Sequence, residues 1–193
     1  YITNPSFEDG TNGWITSNVK TQTNSEFTKK AGYVYVEKWV EKPGAAGDAS
    51  VSQTVSLPNA KYRLTVAAQN LSQASPATNN TGMYVFAGNQ QTPIYTPGDY
   101  TVEFTVITGS VNLGVNAEGA TGNWLALDNF RLYQIGYVDE AALVEELGRL
   151  VGNAESLLSS MMSAAKKSAL NTAISNAKEI TSGSKAYDAK VVV

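Results

Sequence analysis

The run Trp124-Leu125-Ala126-Leu127-Asp128-Asn129-Phe130-Arg131-Leu132-Tyr133 is rich in strand-forming residues and carries a carboxylate in its middle. In a regular strand, alternate side chains share a face. Trp124, Ala126, Asp128, Phe130 and Leu132 are therefore expected on one side, with Leu125, Leu127, Asn129, Arg131 and Tyr133 on the other. This lines Asp128 up with Phe130 and Leu132, the residues of the run best suited to a core. An isolated carboxylate there costs roughly several kcal/mol unless a cation or a set of donors meets it. Near the other terminus, Asn4-Pro5-Ser6-Phe7-Glu8 repeats the combination, an acid beside a large apolar residue just after a short strand-like stretch. Two arrangements satisfy both acids. Glu8 and Asp128 are each met by Lys, Arg or backbone donors, or the first and last strands are neighbours and the two carboxylates share a metal ion. With no His and no Cys in the chain, such a site is all oxygen, which favours a hard cation, calcium foremost.

The chain between the two motifs alternates as well. From Tyr33 to Val40, Tyr33, Tyr35, Glu37 and Trp39 fall on one face, and Val34, Val36, Lys38 and Val40 on the other. From Lys61 to Asn70, Tyr62, Leu64, Val66 and Ala68 face a core while Lys61, Arg63, Thr65 and Gln69 face out. Tyr100, Val102, Phe104 and Val106 alternate with Thr101, Glu103 and Thr105. Further strands are expected over residues 49–57 and 81–87, around Ile94-Tyr95, and through Val111, Leu113 and Val115. Many short strands separated by turn residues, with no helical period between them, specify a mainly β domain over residues 1–136. The expected architecture is an antiparallel jelly-roll β-sandwich, two sheets over one core, with Trp14 in that core.

From Tyr137 the period changes. Asp139 is a good N-cap for a helix carrying Leu143, Leu147, Leu150, Ala154 and Leu157 at helical spacing. Ser163 opens a second helix with Leu170, Ala173, Ile174, Ala177 and Ile180 on one stripe, stopped by Ser182-Gly183. Ser184 to Val193 reads as the start of a third helix, cut short. Residues 137–193 are thus expected to form a helical spacer domain.

The opening N-P-S-F-E-x-G-x-x-G-W-like pattern, Asn4 to Trp14, and the closing W-x-A-x-D-N-F-x-L, Trp124 to Leu132, resemble the galactose-binding-like β-sandwich. That jelly roll is found in many carbohydrate-binding modules, including those with a calcium between the first and last strands. More narrowly, the two motifs look like non-catalytic modules of secreted and surface proteins of gut Bacteroidetes. The likeness covers roughly the first two-thirds of the chain and is more specific at its ends than in its middle. It implies a structural calcium held by Glu8 and Asp128. Loop carbonyls, with Asn4 as a further candidate, would complete a shell of roughly 6 to 8 oxygens. It also implies that Trp124 is scaffold, and that the chain is a fragment of an exported multidomain protein, secreted, periplasmic or at the cell surface. The pattern from Leu170 to Lys178 resembles small three-helix repeats of bacterial surface proteins.

Composition narrows the function. A net charge of −3 and no basic run beyond Lys29-Lys30 and Lys166-Lys167 point away from nucleic acid. No apolar run approaches the ~20 residues of a membrane span, so no membrane insertion is expected. Without His or Cys there is no Ser-His or Cys-His arrangement, and the Gly residues form no phosphate loop. Catalytic carboxylates flank an open cleft ~5 to 9 Å apart, which core-facing positions do not offer Glu8 and Asp128. Asp9, Glu37, Glu103 and Glu118 single out no other pair. An enzyme is not expected.

Sugar rings pack their C–H faces on aromatic side chains while nearby polar groups take the hydroxyls. Tyr33, Tyr35 and Trp39, with Glu37 as a hydroxyl acceptor, are candidates for this role, as are Tyr84, Tyr95 and Trp124. The same aromatics serve equally well as packing. The expected function is a non-catalytic carbohydrate-binding-type module for a glycan or polysaccharide, working beside other domains of its parent chain. The alternative is a purely structural or protein-interaction spacer with no glycan ligand.

Overall fold

The structure, a computed structural model, describes residues 1–75, 79–158 and 163–181. It comprises two compact units, Tyr1–Gly136 and a second that begins at Tyr137.

The first unit is built from β1 (Ile15–Ser17), β2 (Lys20–Gln22), β3 (Tyr35–Trp39), β4 (Gly47–Ser56), β5 (Ala60–Leu71), β6 (Met83–Ala87), β7 (Gln90–Pro93), β8 (Gly98–Val106), β9 (Ser110–Ala120) and β10 (Trp124–Tyr137). They form two five-stranded sheets, β1-β4-β9-β6-β7 and β2-β3-β10-β5-β8. Pairs remote in sequence, such as β4 with β9 and β3 with β10, run antiparallel. Period-two patterning explains the layering. Val51 and Val55 of β4, Met83 and Val85 of β6, and Leu113 and Val115 of β9 meet Leu64 and Val66 of β5, Val102 and Phe104 of β8, and Leu125 and Leu127 of β10 in one core. This is the expected antiparallel sandwich.

Three details depart from the sequence reading. The expected strand around Ile94-Tyr95 lies just upstream, at Gln90–Pro93. The opening stretch is not a strand. Asn4 and Phe7 take left-handed backbone angles (φ 48° and 54°), and the chain coils through turns up to Trp14. Its hold on the sheets comes from specific bonds: Phe130 N–H donates to the Pro5 carbonyl at 2.9 Å, and the buried Gln53 side chain bonds both the N–H and the carbonyl of Thr3. The Asn4 amide is taken up inside this loop, donating to the Gly10 carbonyl and accepting from Asp9 N–H. Trp14 does lie in the core, its ring 5.3 Å from Phe7 and 4.5 Å from Phe130.

The third departure matters most. The last strand does not keep one phase. Leu125 and Leu127 face the main core, as do Phe130 and Leu132, whereas Trp124 and Ala126 belong to a second cluster with Phe27, Tyr35 and Ala67. The change of face falls at Asn129, whose φ is +55°. A left-handed residue inserts one extra step, as in a β-bulge, and a one-residue shift sends the following side chains to the opposite face. Asn is among the few non-glycine residues that adopt this conformation readily. Asp128 is therefore not in line with Phe130 and Leu132; it shares the parity of Trp124 and Ala126. Gln69, expected to face out, is buried for a related reason: the outer face of the β2-β3-β10-β5-β8 sheet is covered.

In the second unit, α1 (Glu140–Leu157) and α2 (Ala164–Thr181) follow the expected caps. Asp139 Oδ1 accepts from Ala141 N–H at 3.1 Å, and Ser163 Oγ accepts from Lys166 N–H at 3.4 Å. Val151 and Ile174 are the buried apolar residues here among the described residues, while Leu150 and Leu157 remain exposed. The Ser182-Gly183 stop and the expected third helix lie outside the described residues. No described helix is long and apolar enough to cross a membrane.

The role of Asn129 is testable. Asn129→Gly is expected to leave stability within about 0.5 kcal/mol, whereas Asn129→Val, β-branched at positive φ, costs about 1–3 kcal/mol. Urea denaturation midpoints of the two variants check this.

Candidate functional site

Glu8 and Asp128 converge on one stretch of backbone. Asp128 has no exposed surface. Its Oδ2 accepts from Ala31 N–H and its Oδ1 from Asn129 N–H, both at 2.6 Å. Glu8 Oε1 accepts from Tyr33 and Val34 N–H at 2.8 and 3.0 Å. Gly32 makes this approach possible: with φ +79°, it stands where a Cβ would lie 2.4 Å from Glu8 Oε1. Burial pushes the Asp128 carboxyl from its ordinary value of 3.8 up to about 7. The two N–H donors pull it down, the neighbouring Glu8 carboxylate pushes it up, and Lys30 offsets only a little. Among the described residues neither acid forms an ion pair with Lys or Arg. Among the described residues no third His, Cys, Asp or Glu joins them. The pair is thus two neighbouring carboxylates held by backbone N–H donors, an all-oxygen set of side chains whose chemistry fits a hard cation.

The expected aromatic strip along β3 separates into buried and exposed members. Tyr35 and Glu37 of β3 and Trp124 of β10 are brought together, but inside the second cluster. Tyr35 is fully buried, and Glu37 and Trp124 are nearly so. Glu37 Oε2 accepts from Trp124 Nε1 at 2.8 Å and from the Tyr35 hydroxyl at 3.3 Å; Oε1 accepts from Gln22 and faces Lys20. Burial, then the Glu37 charge, raises the Tyr35 phenol well above its ordinary range. These three residues hold the 23–34 connection onto the sheet, and no sugar face can reach them as they stand. The expectation that they line a ligand platform is corrected on that ground.

The other candidates remain accessible. Tyr33 is 66% exposed, with Lys30 Nζ 5.6 Å from its ring centroid. Trp39 is 45% exposed at the end of β3, its ring N–H fixed by Gln73 Oε1 at 2.8 Å, and Gln73 is bonded in turn to Asn123. Tyr95 is 38% exposed, its backbone N–H donating to the Tyr100 hydroxyl.

Tyr84 sits in a different setting, on the outer face of the β1-β4-β9-β6-β7 sheet. Its phenol donates to Glu118 Oε1 at 2.7 Å and accepts from Asn116 Nδ2 at 2.7 Å, and Asn116 also donates to Glu118 at 2.8 Å. Burial and the Glu118 hydrogen bond raise the Tyr84 phenol above its ordinary range. With Phe86, Ser50, Ser52, Gln91 and Asn116, Tyr84 lines a groove of about 320 Å³. Tyr84 alternates with Met83 and Val85, which face the core. Phe86, Asn116 and Glu118 lie on equivalent alternating positions and were missed because nothing in the sequence shows that β6 and β9 are neighbours.

The two-sheet sandwich is similar in fold to several solved structures. The module TmCBM61, solved in complex with beta-1,4-galactotriose, is 23% identical over 70% of this chain and 98% of its own, with a TM-score of 0.54. The Stig cyclase Fisc from Fischerella sp. TAU, solved with (3Z)-3-(1-methyl-2-pyrrolidinylidene)-3H-indole, is 19% identical over 72% and 98%, with a TM-score of 0.53. A second structure of a cyclase from Fischerella sp. TAU is 19% identical over 72% and 98%, at 0.51. No protein-family model and no curated protein matches the sequence. At these identities the likeness is one of fold. Since one sandwich hosts both a module solved with a sugar and a cyclase, function has to be argued from the site.

The carboxylate pocket sets a pH dependence. Folded Asp128 holds its proton more tightly than the unfolded chain, so between about pH 4 and 7 the folded state binds the extra proton. In the presence of chelator, stability is expected to be highest at the acid end of that window and to decline as pH rises through 7. Urea midpoints near pH 5 and pH 8 test this; a midpoint that does not fall, or a fall that survives Asp128→Asn, would overturn it.

Proposed function

We propose that the first unit is a non-catalytic glycan-binding module of an exported multidomain protein, stabilised by a structural calcium. The observation that carries the binding role is the groove beside Tyr84, where the rings of Tyr84 and Phe86 lie among hydroxyl and amide side chains. Sugar recognition needs that combination: apolar surface for the C–H faces and fixed polar groups for the hydroxyls. The fold shared with TmCBM61, whose structure holds beta-1,4-galactotriose, supports the reading. The exposed rings of Tyr33, Trp39 and Tyr95 are further contact surfaces for the same ligand class. The non-catalytic part rests on the absence of His and Cys, and on Glu118 being the carboxylate that adjoins the groove among the described residues. Export follows from the likeness of the two terminal motifs to secreted modules.

Glu8 and Asp128 would hold the calcium, with carbonyls of the adjoining backbone completing its shell. The ion supplies charge neutralisation, which two neighbouring carboxylates without a cationic partner otherwise lack. Its role is to fasten the opening loop and the 31–34 stretch to β10. A spacer with no glycan ligand is the competing reading, favoured by the burial of Tyr35 and Trp124.

Two measurements test the proposal. At pH 8, a chelator is expected to lower Tm by several degrees and added calcium to restore it, with no calcium response in Asp128→Asn; an unchanged Tm after verified metal removal would eliminate the ion. A panel of soluble polysaccharides is expected to retain the chain in native affinity electrophoresis, with the retention weakened about tenfold by Tyr84→Ala. Failure across the panel would favour the spacer.

A further inference from the structure

We infer that the groove on the β1-β4-β9-β6-β7 face takes an uncharged glycan chain and binds it by its interior, not by a chain end. The inference rests on the glycan-binding reading above and adds the ligand's class and mode.

Charge decides the class. The groove is lined by side chains of Ser, Asn, Gln, Tyr and Phe, and no Lys or Arg lines it among the described residues. The charge beside it is negative: Glu118, held by Tyr84 and Asn116. A uronate, sulfate or sialate would bring a second anion to this surface with no cation to meet it. A like charge placed so is a penalty built against the wrong ligand. A neutral sugar offers hydroxyls that donate to and accept from Ser52, Asn116 and Gln91, and a C–H face for Tyr84 or Phe86.

Shape decides the mode. The lining residues come from β4, β9, β6 and β7, which lie side by side, and from the Gly88-Asn89 turn that joins the last two. Three inter-strand spacings give a width of about 14 Å, enough for several sugar rings in a row. Gly114 of β9 is in register with both Ser52 and Phe86, so no β9 side chain projects between them. A Cβ there would lie 2.0 Å from the Val51 carbonyl oxygen, so only glycine fits between the paired strands at this point. Apart from the short Gly88-Asn89 turn, no described residue of a connection lines the groove, so no long loop walls off an end. A surface of this kind lets a long chain pass through.

The test uses the 193-residue chain and two sets of probes. The neutral set is 1,4-β-galactan, galactomannan, arabinoxylan and mixed-linkage β-glucan; the anionic set is polygalacturonate and heparin. The expected result is retention by at least one neutral polysaccharide and by neither anionic one. Tyr84→Ala and Asn116→Ala should each weaken that retention about tenfold. Ser52→Trp, which fills the groove from an outward-facing strand position, should abolish it, with Tm confirming that each variant is folded. Oligosaccharides from the retained polymer, reduced at one end and capped at the other, should bind as well as uncapped ones. Tyr84-dependent retention by an anionic polysaccharide would overturn the uncharged class while leaving a glycan-binding module standing. A requirement for a free chain end would overturn the interior mode. Retention indifferent to all three substitutions would remove the groove as the site, and no retention at all would remove both the inference and the reading beneath it.

Discussion

The change of phase at Asn129 is the constraint on which the sandwich and its acidic pocket depend. A strand that alternated regularly through Trp124 to Leu132 could not place Leu125, Leu127, Phe130 and Leu132 on one core. One residue in the left-handed region resolves the conflict, because the side chains on either side of it change parity. The same step leaves Asp128 facing outward beneath the 31–34 backbone, where Glu8 arrives from the opening loop to meet that stretch. Asn129 is also where the acid is partly satisfied, its own N–H donating to Asp128 Oδ1. A local backbone choice thus settles both the packing of β10 and the position of the charge.

The two sheets have unlike outer faces, and this divides the aromatics by role. Over the β2-β3-β10-β5-β8 sheet, Phe27, Tyr35, Trp124 and small Ala residues form a second apolar cluster, with Glu37 accepting from the two polar aromatic tips. A buried carboxylate that receives Tyr, Trp and Gln donors and faces Lys20 is an organised packing element. Over the β1-β4-β9-β6-β7 sheet there is no comparable cluster among the described residues. Ser50, Ser52, Asn116, Tyr84 and Phe86 are only half-buried, and the polar groups there keep bonding capacity. Recognition chemistry collects on the face that the fold leaves open.

Much of this organisation was legible from residue order. Alternation identified the inward residues of β5 and located β4, β8 and β9. Asp139 and Ser163 marked the helix starts through their capping chemistry. The two acids stood out because each sits beside a large apolar side chain. What failed did so for a physical reason: period-two reasoning assumes an unbroken strand and an uncovered outer face. Asn129 breaks the first assumption, and the Phe27-bearing connection breaks the second. Tyr35 and Glu37 therefore read as candidate ligand surface from the sequence and are interior in the fold, as is Trp124, read there both as scaffold and as a ligand candidate.

Local covalent chemistry determined what the sequence by itself could show: an all-β sandwich followed by helices, an oxygen-only set of candidate metal ligands, and a surface with no basic field for nucleic acid. Those properties depend on residue type and near-neighbour spacing, which the chain carries along its length. The tertiary structure alone decided which strands lie side by side. The triad of Tyr84, Asn116 and Glu118, and the groove it borders, exist because β6 pairs with β9 and β9 with β4. Pairing across such separations is chosen by the collective burial of both sheets' inner faces, and that sum is not written in any one segment.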